Sequence, residues 1–144
     1  MTQRRTTLLI QGKETEAFQT IAGVPQGLPL SPILYLFYNA ELFEACNDSR
    51  LHASAVGFVD DANLLVYGTS TEANCRRLEE LHRRCASWAR RSGTSFNPQK
   101  YELIHFTRRR TAFNLAASVQ LGDIELRPST EVRVLGVWLD PKLK

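Results

Sequence analysis

The alternation of apolar and polar positions divides this chain into short strands and two long helices. Residues 6–11 and 18–22 are apolar-rich and flank Gly12-Lys13-Glu14, which predicts a hairpin. Residues 23–32, GVPQGLPLSP, hold two glycines and three prolines in ten positions, so neither a helix nor an inner strand can pass through them. A shaped loop is expected there. A helix should follow, with Ser31 as N-cap and Pro32 at the first helical position, where its missing N–H costs least. From 33 to 43 this helix is apolar on nearly every side, and it is expected to run through the core.

Residues 54–68, SAVGFVDDANLLVYG, read as a second hairpin. Apolar runs at 55–59 and 64–67 bracket Asp60-Asp61-Ala62-Asn63, which sets the turn at or just beyond the aspartates. The clearest helix covers 70–92. Thr69 and Glu72 fit a capping box, Gly93 supplies the stop, and Leu78, Leu81, Cys85 and Trp88 draw one apolar stripe. After Pro98 the pattern returns to strands at 101–106, 118–121, 124–126 and 132–139, with Gly122-Asp123 as a tight turn. Strands and helices mix without regular alternation, so the fold class is α+β, with a sheet packed on helices.

At 144 residues, 43% hydrophobic and 23% charged, the composition is that of one ordinary globular domain and excludes whole-chain disorder. The net charge of +3, from 18 Lys and Arg against 15 Asp and Glu, permits a nucleic-acid partner without requiring one. Cys46, Cys75 and Cys85 form no C-x-x-C pair. Cys75 and Cys85, about 15 Å apart along one helix, are too distant to bridge. Reduced core cysteines in a soluble intracellular protein are expected. The longest apolar stretch, 33–38, is far below the roughly 20 residues that span a bilayer, so no membrane partner is expected.

Asp60-Asp61 is the sharpest chemical feature. Two adjacent carboxylates flanked by Phe58, Val59, Leu64, Leu65 and Val66 are costly to remove from water, and a hairpin turn can bring both near one cation. Mg²⁺ suits them, because it favours carboxylates, water and substrate phosphates, and the matching chemistry is two-metal nucleotidyl transfer. Taken alone, an Asp-Asp pair is more often a solvated turn, because aspartate favours turns.

The surrounding motifs change that balance. GVPQGLPLSPILYLF, followed about twenty residues later by FVDDANLLVYG, resembles the loop-and-helix motif and catalytic hairpin of reverse transcriptases from non-LTR retrotransposons. NPQKYELIHF at 97–106 is similar to that family's next motif, with Asn97 and Lys100 as its N-x-x-K core, and VRVLGVWLD at 132–140 resembles its primer-grip hairpin. The resemblance covers most of the chain. It implies a partial reverse transcriptase domain over 1–144, a palm sheet packed on helices with the start of the primer grip. It also implies an RNA-directed DNA polymerase working on RNA template, DNA primer and dNTP, with a nuclear setting. In that frame Asp60 is the principal metal ligand with Asp61 beside it. Gln26, Gly27 and Phe58 lie on the nucleotide and template side, Lys100 meets the leaving pyrophosphate, and Leu135 and Gly136 hold the primer.

Two departures accompany the resemblance. Leu28 stands where the family usually has serine, and residues 1–57 offer no carboxylate inside an apolar strand to act as the family's upstream metal ligand. The domain is therefore expected to be incomplete at its N-terminus and not to polymerise DNA by itself. A non-catalytic nucleic-acid-binding or interaction remnant is the alternative. Arg76-Arg77, Arg83-Arg84 and Arg90-Arg91 repeat every seven residues, as a nucleic-acid track or as a solvated face balanced by Glu79 and Glu80. Arg108-Arg109-Arg110 leaves the same two readings open. His52, His82 and His105 lack metal-ligand spacing, and Trp138 is expected to pack within its strand.

Overall fold

The computed structural model describes residues 4–20, 23, 27–107 and 113–143, so Gln26 and Arg108-Arg109-Arg110 lie outside the described residues. The chain forms two compact units, Met1–Tyr38 and Asn39–Lys144, with the boundary falling inside the first helix. In the first unit, strand β1 (Arg4–Thr6) pairs antiparallel with β4 (Phe18–Thr20), and between them β2 (Leu9–Ile10) pairs with β3 (Lys13–Glu14). The expected hairpin is present, but its turn falls on Gln11-Gly12, both at positive φ, one residue ahead of Gly12-Lys13-Glu14.

Helix α1 (Ser31–Cys46) begins with Ser31 already helical and Pro32 in its first turn. Its expected role as an all-round core helix fails. Ile33 and Leu36 are exposed and Phe37 is 77% exposed; only Ser31, Asn39, Leu42 and Cys46 are buried. An apolar surface stays wet wherever the chain supplies nothing to cover it.

In the second unit, α1 leads through a 3-10 turn at Ser49–Leu51 into β5 (Ala53–Phe58) and β6 (Asp61–Val66), an antiparallel pair. Helix α2 (Thr71–Ser92) follows. Its cap is Ser70 rather than Thr69: the Ser70 hydroxyl accepts from Ala73 N at 3.3 Å and donates to Glu72 at 2.8 Å. Gly93 ends the helix at φ 67°, as its position predicts.

The stripe on α2 serves two clusters. Leu81, Cys85, Trp88 and Ala89 pack with Leu42, Cys46 and Ala53, and with Ala55, Leu64 and Val66 from the inner face of the β5–β6 hairpin. Nearer the start of α2, Cys75 joins Leu103, Ala117 and Val119. The remaining strands are β7 (Val119–Leu121), β8 (Ile124–Leu126), β9 (Val132–Val134) and β10 (Val137–Leu139), which form two more hairpins. The fold is α+β, as expected from the pattern.

Among the described residues the strands make five separate two-stranded ladders rather than one palm sheet. Residues 101–106, expected as a strand, run without a ladder partner among the described residues. Two backbone groups, one here and one at the next residue, are satisfied by loops instead: Ser129 N donates to Leu103 O at 2.7 Å, and Thr107 N donates to Pro141 O at 3.0 Å.

Candidate metal-binding hairpin

The β5–β6 register pairs Phe58 with Asp61, leaving Val59 and Asp60 as a two-residue turn. The turn therefore closes on Asp60 and its predecessor, and Asp61 opens β6. Side chains alternate along each strand. Ala53, Ala55 and Gly57 face the helices with their partners Val66, Leu64 and Ala62, while Val56, Phe58 and Asp61 share the opposite face. Both aspartates are exposed, and Phe58 beside Asp61 is 58% exposed, so the carboxylates are not embedded in apolar side chains as the sequence suggested. Turning the apolar set of the hairpin inward leaves the tip in solvent.

Val59 takes φ 52°, whereas Asp60 keeps a negative φ. Positive followed by negative φ is the pattern of a type II′ hairpin turn, whose first position normally belongs to glycine. A β-branched residue there costs about 1–2 kcal/mol. Contacts from α1 and from Asn47, the residue that follows the helix, hold it. Asn39 Nδ2 donates to Val59 O at 3.3 Å, the Phe43 ring lies against Gly57 where any β-carbon would overlap it, and Asn47 Oδ1 accepts from Ala55 N at 2.9 Å. Four helix residues rise about 6 Å and two strand residues about 6.6 Å, so one contact per helical turn stays in step with alternate residues of β5. On that edge of β5 the Ala55 N–H is satisfied by Asn47 and the Phe43 ring covers Gly57, so less of the edge is open to another strand.

Sequence reasoning missed Asn39, Phe43, Asn47 and Gly57. The signal was an amide inside an otherwise apolar helix, repeated eight residues later, opposite a glycine within a strand.

Lys100 ends a 3-10 turn at Pro98–Lys100, whose cap is Asn97, with Oδ1 accepting from Gln99 N at 3.1 Å. The next residue, Tyr101, meets His82 on α2 through an Nε2···Oη bond of 3.1 Å, and burial lowers the His82 pKa from its ordinary value. His82, unremarkable by spacing, thus fixes the chain directly after Lys100. Leu135 and Gly136 are the two turn residues of β9–β10, at φ 49° and 85°, a type I′ geometry. Trp138 is not packed: it is 60% exposed, opposite Arg133 in the register, with the guanidinium 6.0 Å from its ring centroid. Gly27 belongs to the first unit, at φ 90°. Hairpin geometry brings Phe58, Asp60 and Asp61 together. Lys100 and the Leu135-Gly136 turn stand on other elements, and among the described residues no hydrogen bond or ion pair joins them to the aspartates.

The α2 arginines are partly engaged with the protein itself. Arg77 donates to Tyr67 O and Asn74, Arg83 pairs with Glu80, and Arg84 meets Glu80 and Asp48. Glu79 turns elsewhere and accepts from Gln120 N at 2.9 Å. A divalent cation fits the hairpin as a partial site. Two adjacent exposed carboxylates match the one or two that Mg²⁺ takes from protein, but no third His, Cys, Asp or Glu joins them among the described residues. No helix among these residues is long and apolar enough to cross a membrane.

Fold and site define an α+β protein that presents a carboxylate-tipped hairpin on a two-helix support. The chain belongs to the family Reverse transcriptase (RNA-dependent DNA polymerase), which it matches over residues 2–139. It is 31% identical over 127 residues to a probable RNA-directed DNA polymerase from transposon BS of Drosophila melanogaster, covering 85% of this chain and 14% of that protein. It is also 28% identical over 125 residues to a probable RNA-directed DNA polymerase from transposon X-element of the same organism, covering 85% of this chain and 13% of the relative. The chain thus spans about a seventh of the length of these curated relatives. No solved structure matches it.

Proposed function

We propose that residues 1–144 are one partial palm domain of an RNA-directed DNA polymerase, and that Asp60 and Asp61 hold Mg²⁺ for nucleotidyl transfer in the intact enzyme. The observation that carries this reading is the placement of Asp60 in an exposed, strained two-residue turn that α1 ties down from behind, with Asp61 directly after it at the start of β6. Strain held by a dedicated hydrogen bond is characteristic of functional turns. When bound, the cation supplies positive charge to phosphate oxygens as negative charge develops on them.

The chain's own residues do the rest. Asp60 and Asp61 orient the cation, and exposed Phe58 offers an apolar surface on the face shared with Asp61, toward nucleotide and template. By resemblance to the family's loop motif, Gln26 and Gly27 take the role of contacting nucleotide and template. Lys100 places a cationic amine for the leaving pyrophosphate, on a turn steadied by Asn97 and His82. Leu135 and Gly136 present a tight turn to the primer, with the Arg133–Trp138 pair beside it as a cationic and aromatic surface for a nucleic-acid strand. RNA template, DNA primer and dNTP are the partners, and the nucleus is the compartment.

Mn²⁺, a paramagnetic stand-in for Mg²⁺, tests the metal role in this chain. Broadening of the NMR signals of Phe58, Asp60 and Asp61 that disappears in Asp60→Ala supports it. Broadening confined to other residues, or unchanged in the variant, refutes it. With only two carboxylates assembled, the purified chain is expected to give no primer extension on an RNA template. Steady dNTP incorporation abolished by Asp60→Ala would show instead that the chain completes a working site.

A further inference from the structure

We propose that Cys46 and Cys85 form a redox-modifiable dithiol, which hydrogen peroxide oxidises to a disulfide joining the end of α1 to the middle of α2 behind the carboxylate hairpin. Their Sγ atoms lie 3.3 Å apart although the residues are 39 positions apart in sequence, and all three cysteines of the chain are free thiols. Cys46 is 0% and Cys85 6% exposed, in the cluster that includes Ala53, Ala55, Leu64 and Val66 of the hairpin. Neither thiol therefore meets large reagents, and each already has the other sulfur in contact.

The surroundings divide the roles. The bond from Cys85 holds the Cys46 thiol below its ordinary range against the opposing effect of burial, with help from the Arg84 guanidinium; the same bond and burial push Cys85 up. Arg84 is fixed at the end of α1 by Ala45 O at 3.2 Å and Asp48 at 3.1 Å. Its place at the end of α1 beside the Arg84 guanidinium makes Cys46 the nucleophile, with Cys85 in mid-helix as the resolving thiol. Cys46 is also the last residue of α1, where helix ends fray, so a water-sized oxidant needs only a local opening.

The reaction balances without other reactants. The Cys46 thiolate attacks one peroxide oxygen, the O–O bond breaks, and the departing hydroxide takes a proton to become water. Cys46 is then a sulfenic acid. Cys85 sulfur attacks Cys46 sulfur, the S–O bond breaks, and the second hydroxide leaves with the Cys85 proton as water. Two thiols are oxidised by two electrons and one peroxide is reduced to two waters.

The bond ties down the end of α1, whose Asn39 and Phe43, with Asn47 just beyond it, support β5 and its turn, and so makes the hairpin support sensitive to oxidant. Cys75 is the internal control, buried on α2 in the other cluster with its thiol pushed up by burial.

The test is to treat the reduced, folded chain with a small excess of hydrogen peroxide and weigh it intact and after digestion. The expected result is a loss of two hydrogens and one crosslink between the peptides carrying Cys46 and Cys85, with Cys75 still open to alkylation after unfolding. Dithiothreitol reverses the change. Cys75→Ala keeps the crosslink and Cys85→Ala loses it. The oxidised chain melts several degrees higher, because closing so long a loop restricts the unfolded chain. Over-oxidation of Cys46 without a crosslink, a bond involving Cys75, a disulfide between two chains, or a crosslink formed only in denaturant would each overturn the proposal. None of these readouts depends on polymerase activity.

Discussion

Two hairpins of this protein turn by the same geometry with different residues. In β7–β8, Leu121 pairs with Ile124 around Gly122-Asp123; in β5–β6, Phe58 pairs with Asp61 around Val59-Asp60. Both turns put a positive φ first, 65° at Gly122 and 52° at Val59, and an aspartate second. Where a turn only reverses the chain, glycine takes the strained position at no steric cost. Where the turn carries the carboxylate pair, valine sits there and the strain is offset from outside, by Asn39 on its carbonyl and by Phe43 packed on Gly57. The first hairpin is shaped by its own sequence, the second by its contact with a helix.

The largest way to break that contrast is to drive the helix away. Gly57→Val puts a branched side chain where the Phe43 ring lies, and is expected to cost about 3 kcal/mol, the upper end for overpacking. Urea denaturation measures it. Phe43→Leu in the same background should recover part of the loss; independent, additive effects of the two substitutions would mean that the ring and Gly57 do not compete for one space.

Exchanging the two turn chemistries sharpens the comparison at a smaller scale. Nothing lies within 4 Å of a β-carbon built at Gly122, so Gly122→Val is expected to cost only its backbone strain, about 1–2 kcal/mol. Val59→Gly should gain up to about 1 kcal/mol as that strain is relieved. Equal and opposite shifts in melting midpoint would mean that both turns have the same strain and α1 adds nothing. A smaller gain at Val59 than loss at Gly122 is the expected outcome, because the Asn39 bond already holds the valine turn in place. Asn39→Ala then tests the tether directly. It should cost about 1 kcal/mol, the usual net value of a hydrogen bond, and the Val59→Gly gain should grow in its background.

This difference also explains what could be read from sequence. Gly122-Asp123 was legible as a turn because glycine advertises positive φ, and α2 was legible because stripe, cap region and Gly93 all agree. The Asp60-Asp61 pair and its hairpin were legible from the apolar runs around them, yet the turn fell on Val59-Asp60 because that choice depends on Asn39, twenty residues away. Local propensity cannot register a partner of that kind. The same limit explains α1, read as a core helix though Phe37 lies in solvent, and residues 101–106, read as a strand though no partner strand meets them among the described residues. Trp138 failed for a related reason: its alternation is that of a strand, but among the described residues no second layer covers that face of β9–β10, and Arg133 lies against the ring instead. Each miss concerns what an element packs against rather than what it is.

The smallest expected effect lies at the far end of the same support, where α1 leaves the hairpin. Arg84 on α2 donates to Asp48, and this bond, aided by the backbone N–H of Arg50, holds the Asp48 carboxyl below its ordinary range. A carboxylate whose folded pKa is depressed adds stability that is fully present above its unfolded value, near 4, and is lost as pH falls through the folded value. Asp48 is solvent-accessible, so screening keeps its contribution minor. Thermal melts between neutral pH and the acid limb should therefore show a slightly shallower acid loss in Asp48→Asn than in the parent chain, with nearly the same midpoint at pH 9 as at pH 7. At the β7–β8 hairpin, Glu125 is depressed in the same sense by Ser118 and Arg127, which gives a matched control. If Glu125→Gln flattens the acid limb as much as Asp48→Asn does, the Arg84 link between the helices carries no more weight than an ordinary surface pair, and the support of the carboxylate hairpin rests on Asn39, Phe43 and the buried cluster alone.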